Sequence, residues 1–314
     1  MTYGEMESLE TAEAVLREAG FVVSQRCLSR PSCFDFVARK SENLILIKVQ
    51  PDIDAFSSDD SFELKALSEC ISAAALLVTE NTREKPLEDD TVYSRYNISA
   101  VTPRTFENIV TRGVNPLIQA GPGGYYVEID CQAIKRGRQK LGLSVGEMAE
   151  MIGISRRTLY GYERGMAKAS VAAAYNLVWT LGVPVAKTVN VFEKSKNQRK
   201  CFLMKAKRVI ERHRFLQKIL TKLARCHIAT VKKAPFDFVI NAPEEKMRII
   251  GGLANNKERE LDRRVAEILS VSRVVKAYPI LVTEGQELTN ENILCISSEK
   301  FSKIKDPADL VSKL

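Results

Sequence analysis

CQAIKRGRQKLGLSVGEMAEMIGISRRTLYGYERG, residues 131–165, decides how the rest of the chain is read. Apolar spacing and breakers divide it into three short helices with tight connections. Ala149, Gly153 and Leu159 follow one another at offsets of four and six, and each has a steric role where helices cross closely. Ala149 lets the second helix approach the third, Gly153 supplies the positive φ of the turn, and Leu159 buries against the first helix. Ser155 is placed to cap the third helix, which spans 155–164. That helix buries Leu159 and Tyr162 and turns Arg156, Arg157, Tyr160, Gly161 and Arg164 outward, so its free side is basic.

The string GLSVGEMAEMIGISRRTLYGYERG, followed by AKASVAAAYNLVWTLGVP, resembles the lambda-repressor-like (Cro/C1, or XRE) helix-turn-helix domain. The family pattern runs GLS, ELA, LGVS, T, E-x-G and LGV, and it covers about residues 130–192. The resemblance implies a five-helix unit whose third helix enters the DNA major groove. Ser155, Arg156, Arg157, Thr158, Tyr160, Gly161 and Arg164 are then the DNA-binding residues, with the arginines on bases or phosphates and Tyr160 near a sugar or thymine methyl. Val145 departs from the pattern, because the family usually has a glutamine there that hydrogen-bonds the DNA.

Charge follows the same division. Residues 1–126 hold 12 Lys and Arg against 19 Asp and Glu (−7), residues 127–225 hold 21 against 7 (+14), and residues 226–314 hold 14 against 13 (+1), in a chain of net charge +8. A strongly basic middle segment is the footprint of a polyanion binder. No stretch approaches the ~20 apolar residues of a membrane span, and the acidic start MTYGEMESLE lacks the features of a signal peptide. The cytoplasm is the expected compartment. Cysteines 27, 33, 70, 131, 201, 226 and 295 have no C-x-x-C spacing, and neither His213 nor His227 has a ligand partner at helical spacing, so no cofactor or metal is expected.

Upstream, 8–20 reads as an amphipathic helix ending at Gly20. Strands are expected in FVVSQRCL, FDFVAR and LILIKV, the last buried on both faces. A helix over about 61–75, the strand ALLVTE, and a strand and helix in ISAVTPRTFENIV complete an α-β-β-β-α-β unit. The unit recurs: FDFV at 34–37 and 236–239, LLVTE at 76–80 and ILVTE at 280–284, ISAVTPRTF at 98–106 and ILCISSEKF at 293–301. GPGG at 121–124 marks a turn or linker, and YYVEID a short strand or extended entry into the helices. Residues 193–200 read as a second linker, and 202–226 as a long basic amphipathic helix. The expected architecture is multidomain: an α/β unit over 1–120, the all-α helix-turn-helix domain over 127–193, and a second, more degenerate α/β unit over 201–314.

The element order, with Asp35 thirteen residues before Lys48, resembles the restriction-endonuclease-like fold, in which an Asp and a Glu-x-Lys bind Mg²⁺. Leu46 stands where the second carboxylate belongs, and one carboxylate holds Mg²⁺ poorly. The second copy keeps Asp237 but has Ile250 at the same offset and no strand lysine. Asp35, Lys48 and Asp237 therefore read as relics, and the protein as no enzyme. The complete layout resembles a family of archaeal helix-turn-helix transcriptional regulators. The leading reading is a sequence-specific regulator of double-stranded DNA acting as a homodimer. A Mg²⁺-dependent nuclease and an antitoxin-like protein-interaction module stay open as alternatives.

Overall fold

The structure, a computed structural model, describes residues 3–83, 85–193, 227–242, 247–254, 260–283 and 293–302. The segments 194–200 and 202–226 lie outside the described residues, as do His213, Cys201, Cys226 and Glu284. The chain divides into two compact units, one of residues 1–77 with 192–314 and one of residues 78–191.

In the first unit, α1 (Tyr3–Glu18) buries Leu9, Ala12 and Leu16, the face expected from its spacing. β1 (Val22–Val23), β2 (Phe36–Lys40) and β3 (Asn43–Val49) form an antiparallel meander, with β4 (Ala74–Val78) on the far side of β3. Leu44 to Ile47 are buried without alternation, as a strand covered on both faces requires. β1 is shorter than FVVSQRCL suggests, because beyond Val23 the backbone leaves the ladder and binds β2 only at Ser24 and Cys27. α2 (Ser58–Ile71) starts at the Ser57 cap and stops at Ser72, whose φ of 56° is left-handed.

The second unit opens with β5 (Thr91–Arg95) and β6 (Ile98–Val101), joined through Tyr96 and Asn97, both at positive φ. This is the two-residue hairpin geometry whose twist matches the strands. α3 (Pro103–Arg112) follows its Thr102 cap with proline in the first turn. GPGG then forms the tip of a hairpin between β7 (Ile118–Gly121) and β8 (Gly124–Val127), with Gly123 at φ 85°. Four helices come next: α4 (Cys131–Lys140), α5 (Val145–Ile152), α6 (Arg156–Glu163) and, after the short strand β9 (Ala169–Ser170), α7 (Val171–Leu181). The sheet of this unit runs β6-β5-β7-β8-β9, so the hairpin is hydrogen-bonded to the loop that follows α6.

The five-helix expectation is corrected to four. Gly182 ends α7 at φ 61°, and Pro184 pushes Val183 towards extended backbone. The chain then runs along the entry to α4, with Asp130 N donating to Val185 O (2.7 Å) and Lys187 N to Glu128 O (2.8 Å).

The chain returns to the first unit as β10 (His227–Thr230), β11 (Phe238–Ala242), β12 (Met247–Ala254), α8 (Leu261–Val275), β13 (Tyr278–Thr283), β14 (Leu294–Ser297) and α9 (Ser298–Ser302). Its sheet is antiparallel from β10 to β12 and parallel from β12 to β14. Contacts with the N-terminal half are reciprocal. α2 packs on β10 and β11, while α8 packs on β2. Glu63 of α2 accepts from Lys232 N and Lys233 N (2.9 and 2.7 Å), and Glu267 of α8 accepts from Leu28 N and Ser29 N (both 2.9 Å). Asn241 caps the end of α2 at Cys70 O (2.7 Å), as Arg39 caps the end of α8 at Val274 O (2.5 Å). Each helix thus terminates against, and braces a loop of, the other half.

Asp60 adds an ion pair to Lys233 at 2.8 Å. Burial pushes the Asp60 carboxyl up, but the Lys233 ammonium and the Ser57 hydroxyl outweigh it, so its pKa lies below the ordinary value; Lys233 is raised by the same contact. A depressed carboxylate stabilises fully above its unfolded pKa of ~3.9 and loses that contribution as pH falls through the folded value; a raised lysine is at full strength below ~10.4. Asp60→Asn is expected to cost roughly 1 kcal/mol at pH 7. Urea midpoints of variant and wild type should draw together as pH falls below about 4, whereas a gap that does not narrow between about pH 7 and about pH 2 would mean the carboxylate charge is not what stabilises.

Candidate nucleic-acid interface

α5 begins in a capping box: Glu147 N donates to Ser144 Oγ (3.2 Å) and Ser144 N to Glu147 Oε2 (2.7 Å). Hydrogen bonds from Ser144 hold the Glu147 carboxyl below its usual range. Gly153 ends α5 at φ 73°, where any other residue would be strained, and lets the chain turn into α6. Ser155 caps α6 by accepting from Thr158 N (3.0 Å), and its hydroxyl also bonds Thr158 Oγ1 (2.8 Å). Ile134, Ala149, Leu159 and Tyr162 meet in one buried cluster, where α4 and α5 both pack on α6.

Arg138 of α4 and Glu163 of α6 form a two-pronged ion pair beneath this cluster, with Nε and Nη2 donating to the two carboxylate oxygens at 2.6 and 3.1 Å. Their side chains are only 12% and 7% exposed, and Arg138 Nη1 also donates to Leu143 O (2.7 Å). The Glu163 contact raises the Arg138 pKa further. Sequence reading noted Glu163 only within E-x-G and missed Arg138, since a pairing across 25 residues leaves no periodic signal.

On the outer side, Arg156, Arg157, Tyr160 and Arg164 are exposed, and Thr158 and Gly161 are half-buried. Arg164 lies over the Tyr160 ring, 4.7 Å from its centroid, a cation–π contact that aligns both at the end of the helix. Val145, in the place of the family's glutamine, packs against the helical core and offers no polar group. The next residue matters instead. A Cβ on Gly146 would overlap the Arg156 guanidinium, so the missing side chain lets Arg156 lie across the first turn of α5. The segment that follows α6 is tied to the hairpin, with β9 paired to β8 and Lys168 Nζ donating to Gln119 Oε1.

In the first unit, Asp35 and Lys48 form an ion pair at 2.9 Å, and the second Asp35 oxygen accepts from Val49 N (2.7 Å). Burial raises the Asp35 pKa despite the neighbouring Lys48 charge. Leu46 is buried on the same strand, and no cluster of three metal-binding side chains occurs among the described residues. The residues present do not fit a Mg²⁺ ion, which needs several free oxygens.

Asp237 repeats the backbone geometry with a shift. Asp35 N donates to Ile47 O and Asp237 N to Gly251 O, while Leu253 N binds Asp237 Oδ2 at 2.6 Å. The position matching Lys48 is therefore Gly252, fifteen residues on, and the thirteen-residue offset to Ile250 is corrected. The cation comes from a helix. Arg264 of α8 is fully buried and reaches Asp237 Oδ2 (2.5 Å), Leu253 O (2.8 Å) and Pro235 O (2.6 Å), in space that a side chain on Gly252 would crowd. Arg30 Nη1 binds the other Asp237 oxygen at 2.9 Å.

A helix-turn-helix family model matches residues 134–187, and a PD-(D/E)XK superfamily domain model matches residues 5–116. Along the full length, the chain is 33% identical over 304 residues to a Methanocaldococcus jannaschii protein named "Putative HTH-type transcriptional regulatory protein", covering 96% of this chain and 93% of that one. Proteins of the same name from Archaeoglobus fulgidus and Methanosarcina barkeri are 28% and 31% identical, over 98% and 95% of this chain and 96% and 93% of theirs. No solved structure matches.

Removing one partner of this partly buried, two-pronged ion pair leaves the other charge without its carboxylate or guanidinium partner, at a cost of about 1–3 kcal/mol. Glu163→Gln is expected to lower the melting temperature of the 78–191 unit far more than Glu150→Gln, on the exposed side of α5. Equal melting of the two variants would show that the pair does not hold α6.

Proposed function

The chain belongs to the family of these archaeal helix-turn-helix regulatory proteins, and we propose that it is a DNA-binding transcriptional regulator whose α6 reads the major groove of double-stranded DNA. One observation carries this: a rigidly capped and buttressed helix whose outer side offers Arg156, Arg157, Tyr160 and Arg164. Phosphate contacts from the basic middle segment supply affinity, and base contacts near the N-terminus of α6 supply specificity. Ser155 and Thr158 present the first turn, Gly161 permits close approach, and Tyr160 with Arg164 meets the sugar–phosphate edge. Arg156, lying across Gly146, takes the contact that the family's glutamine would make. Reading an operator takes two such helices about one DNA turn apart, so the acting form is a homodimer in the cytoplasm.

The same reading divides the chain into segments 1–120, 127–193 and 201–314, with a second, degenerate nuclease-like unit in the last. The reciprocal bracing by Glu63 and Glu267, and the matching aspartates Asp35 and Asp237, support that duplication. In this reading neither copy is an enzyme. The Asp35 carboxylate is taken up by Lys48 and Val49 N, and the Asp237 carboxylate by Arg30, Arg264 and Leu253 N. The pair of copies is a scaffold.

Arg156→Ala with Arg157→Ala should weaken binding to a selected operator on the order of 100-fold, since each well-made base contact is worth ~1–3 kcal/mol. Genomic fragments recovered by the purified protein, sequenced and rebound at two salt concentrations, test it; unchanged affinity of the double variant would remove α6 from the interface. Recovered fragments should stay intact in Mg²⁺ with wild type and Asp35→Ala alike. Cleavage abolished by that substitution would establish the nuclease instead.

A further inference from the structure

α7 has two apolar faces and a single use for them within its unit. Ala173, Ala174, Leu177 and Leu181 are buried in the helical core. The opposite face carries Val171, Tyr175, Val178 and Trp179, at offsets of four, seven and eight, and all four are exposed. Trp179, the only tryptophan of the chain, is 79% exposed, and Tyr175 is 66% exposed. Their rings stack with centroids 6.5 Å apart and planes 16° from parallel, so the pair stands as one flat aromatic plate. Large contiguous exposed apolar patches mark contact surfaces.

Charge narrows the occupant. Between Lys168 and Lys187 there is no Asp, Glu, Lys or Arg, in a chain of net charge +8. Two copies brought together through α4 or α6 would oppose Lys135 and Arg136, or Arg156 and Arg157, to themselves, whereas the α7 face can meet its own image without like-charge repulsion. Area is consistent with a modest self-contact. Four aromatic rings of ~150–250 Å² each, about two-thirds to four-fifths exposed, together with the flanking valines, come to on the order of 1,000 Å². That is about the threshold of a specific interface.

We infer that the outer face of α7 is where a second copy of this chain docks, with the Tyr175–Trp179 plates of the two copies meeting across a two-fold axis. The inference deepens the regulator reading, which requires two recognition helices per operator, and rests on it for that requirement alone. An interface of this size forms a dimer that dissociates on dilution and is reinforced when two half-sites hold both copies on one duplex.

The single tryptophan makes the test direct. Sedimentation equilibrium of the full chain should show the mass doubling as concentration rises, with Trp179 emission moving to the blue and iodide quenching falling in step. Tyr175→Ser and Trp179→Ser, both on an exposed face, should leave the circular dichroism unchanged. Each should hold the chain monomeric at concentrations where wild type is dimeric, and weaken binding to a two-half-site duplex at least tenfold while sparing salt-dependent binding to a single half-site. A dimer that survives both substitutions would overturn the assignment of this face. So would a wild type that stays monomeric, whether its tryptophan is quenched freely or shielded by its own chain. A wild type that binds no DNA at any salt concentration would instead remove the regulator reading, with the sedimentation result still deciding the α7 face.

Discussion

The two-pronged ion pair of Arg138 and Glu163 is the contact on which the presentation of α6 depends. Three short helices of eight to ten residues have too little propensity of their own to persist, so their geometry comes from what they bury. Apolar packing around Leu159 holds α6 down without fixing its rotation. A guanidinium that grips both oxygens of Glu163, and also the Leu143 carbonyl, does fix it, because each of those bonds is directional. The caps at Ser144 and Ser155 then set where α5 and α6 begin. Rotation and start together aim four exposed side chains in one direction.

The first unit follows a different logic, in which aspartates in like backbone settings are neutralised by different means. Asp35 is met by Lys48 from its neighbouring strand, whereas Asp237 is met by Arg264 from a helix and Arg30 from the other half. Gly252 leaves room for this arrangement, since a Cβ there would stand 2.9 Å from Ile268 and 3.3 Å from the Arg264 guanidinium. A buried carboxylate left unpaired costs several kcal/mol, so the cation can relocate but cannot be dispensed with. Among the described residues, neither pair has further carboxylates gathered beside it into a group that could hold a metal ion.

Much of the helical region was legible because its signals are local. Caps, the Gly153 turn and the 3.6-residue period of apolar side chains depend on neighbours within a few positions, and α4 to α7 appear where they place them. β3 was legible for the same reason, as an unbroken apolar run. β5 was not read, since TVYSRYN lacks the Asn-Gly signature and its hairpin instead places Tyr96 and Asn97 at positive φ. The missing fifth helix was hidden too, because 185–189 is extended only by virtue of the backbone groups of 116–130 that receive it. A family pattern carries no information about such a replacement.

Sequence alone determined the helix-turn-helix, the basic outer side of its third helix and the matching strings at the two chain ends, since each is written in residue type and spacing. Tertiary structure decided that those ends fold together, that Arg264 rather than a residue at 250 answers Asp237, that Arg138 finds Glu163 and that Trp179 is left uncovered. These are pairings across 25 to more than 200 residues, and the chain satisfies them by shape and charge in three dimensions, where separation along the sequence no longer measures distance.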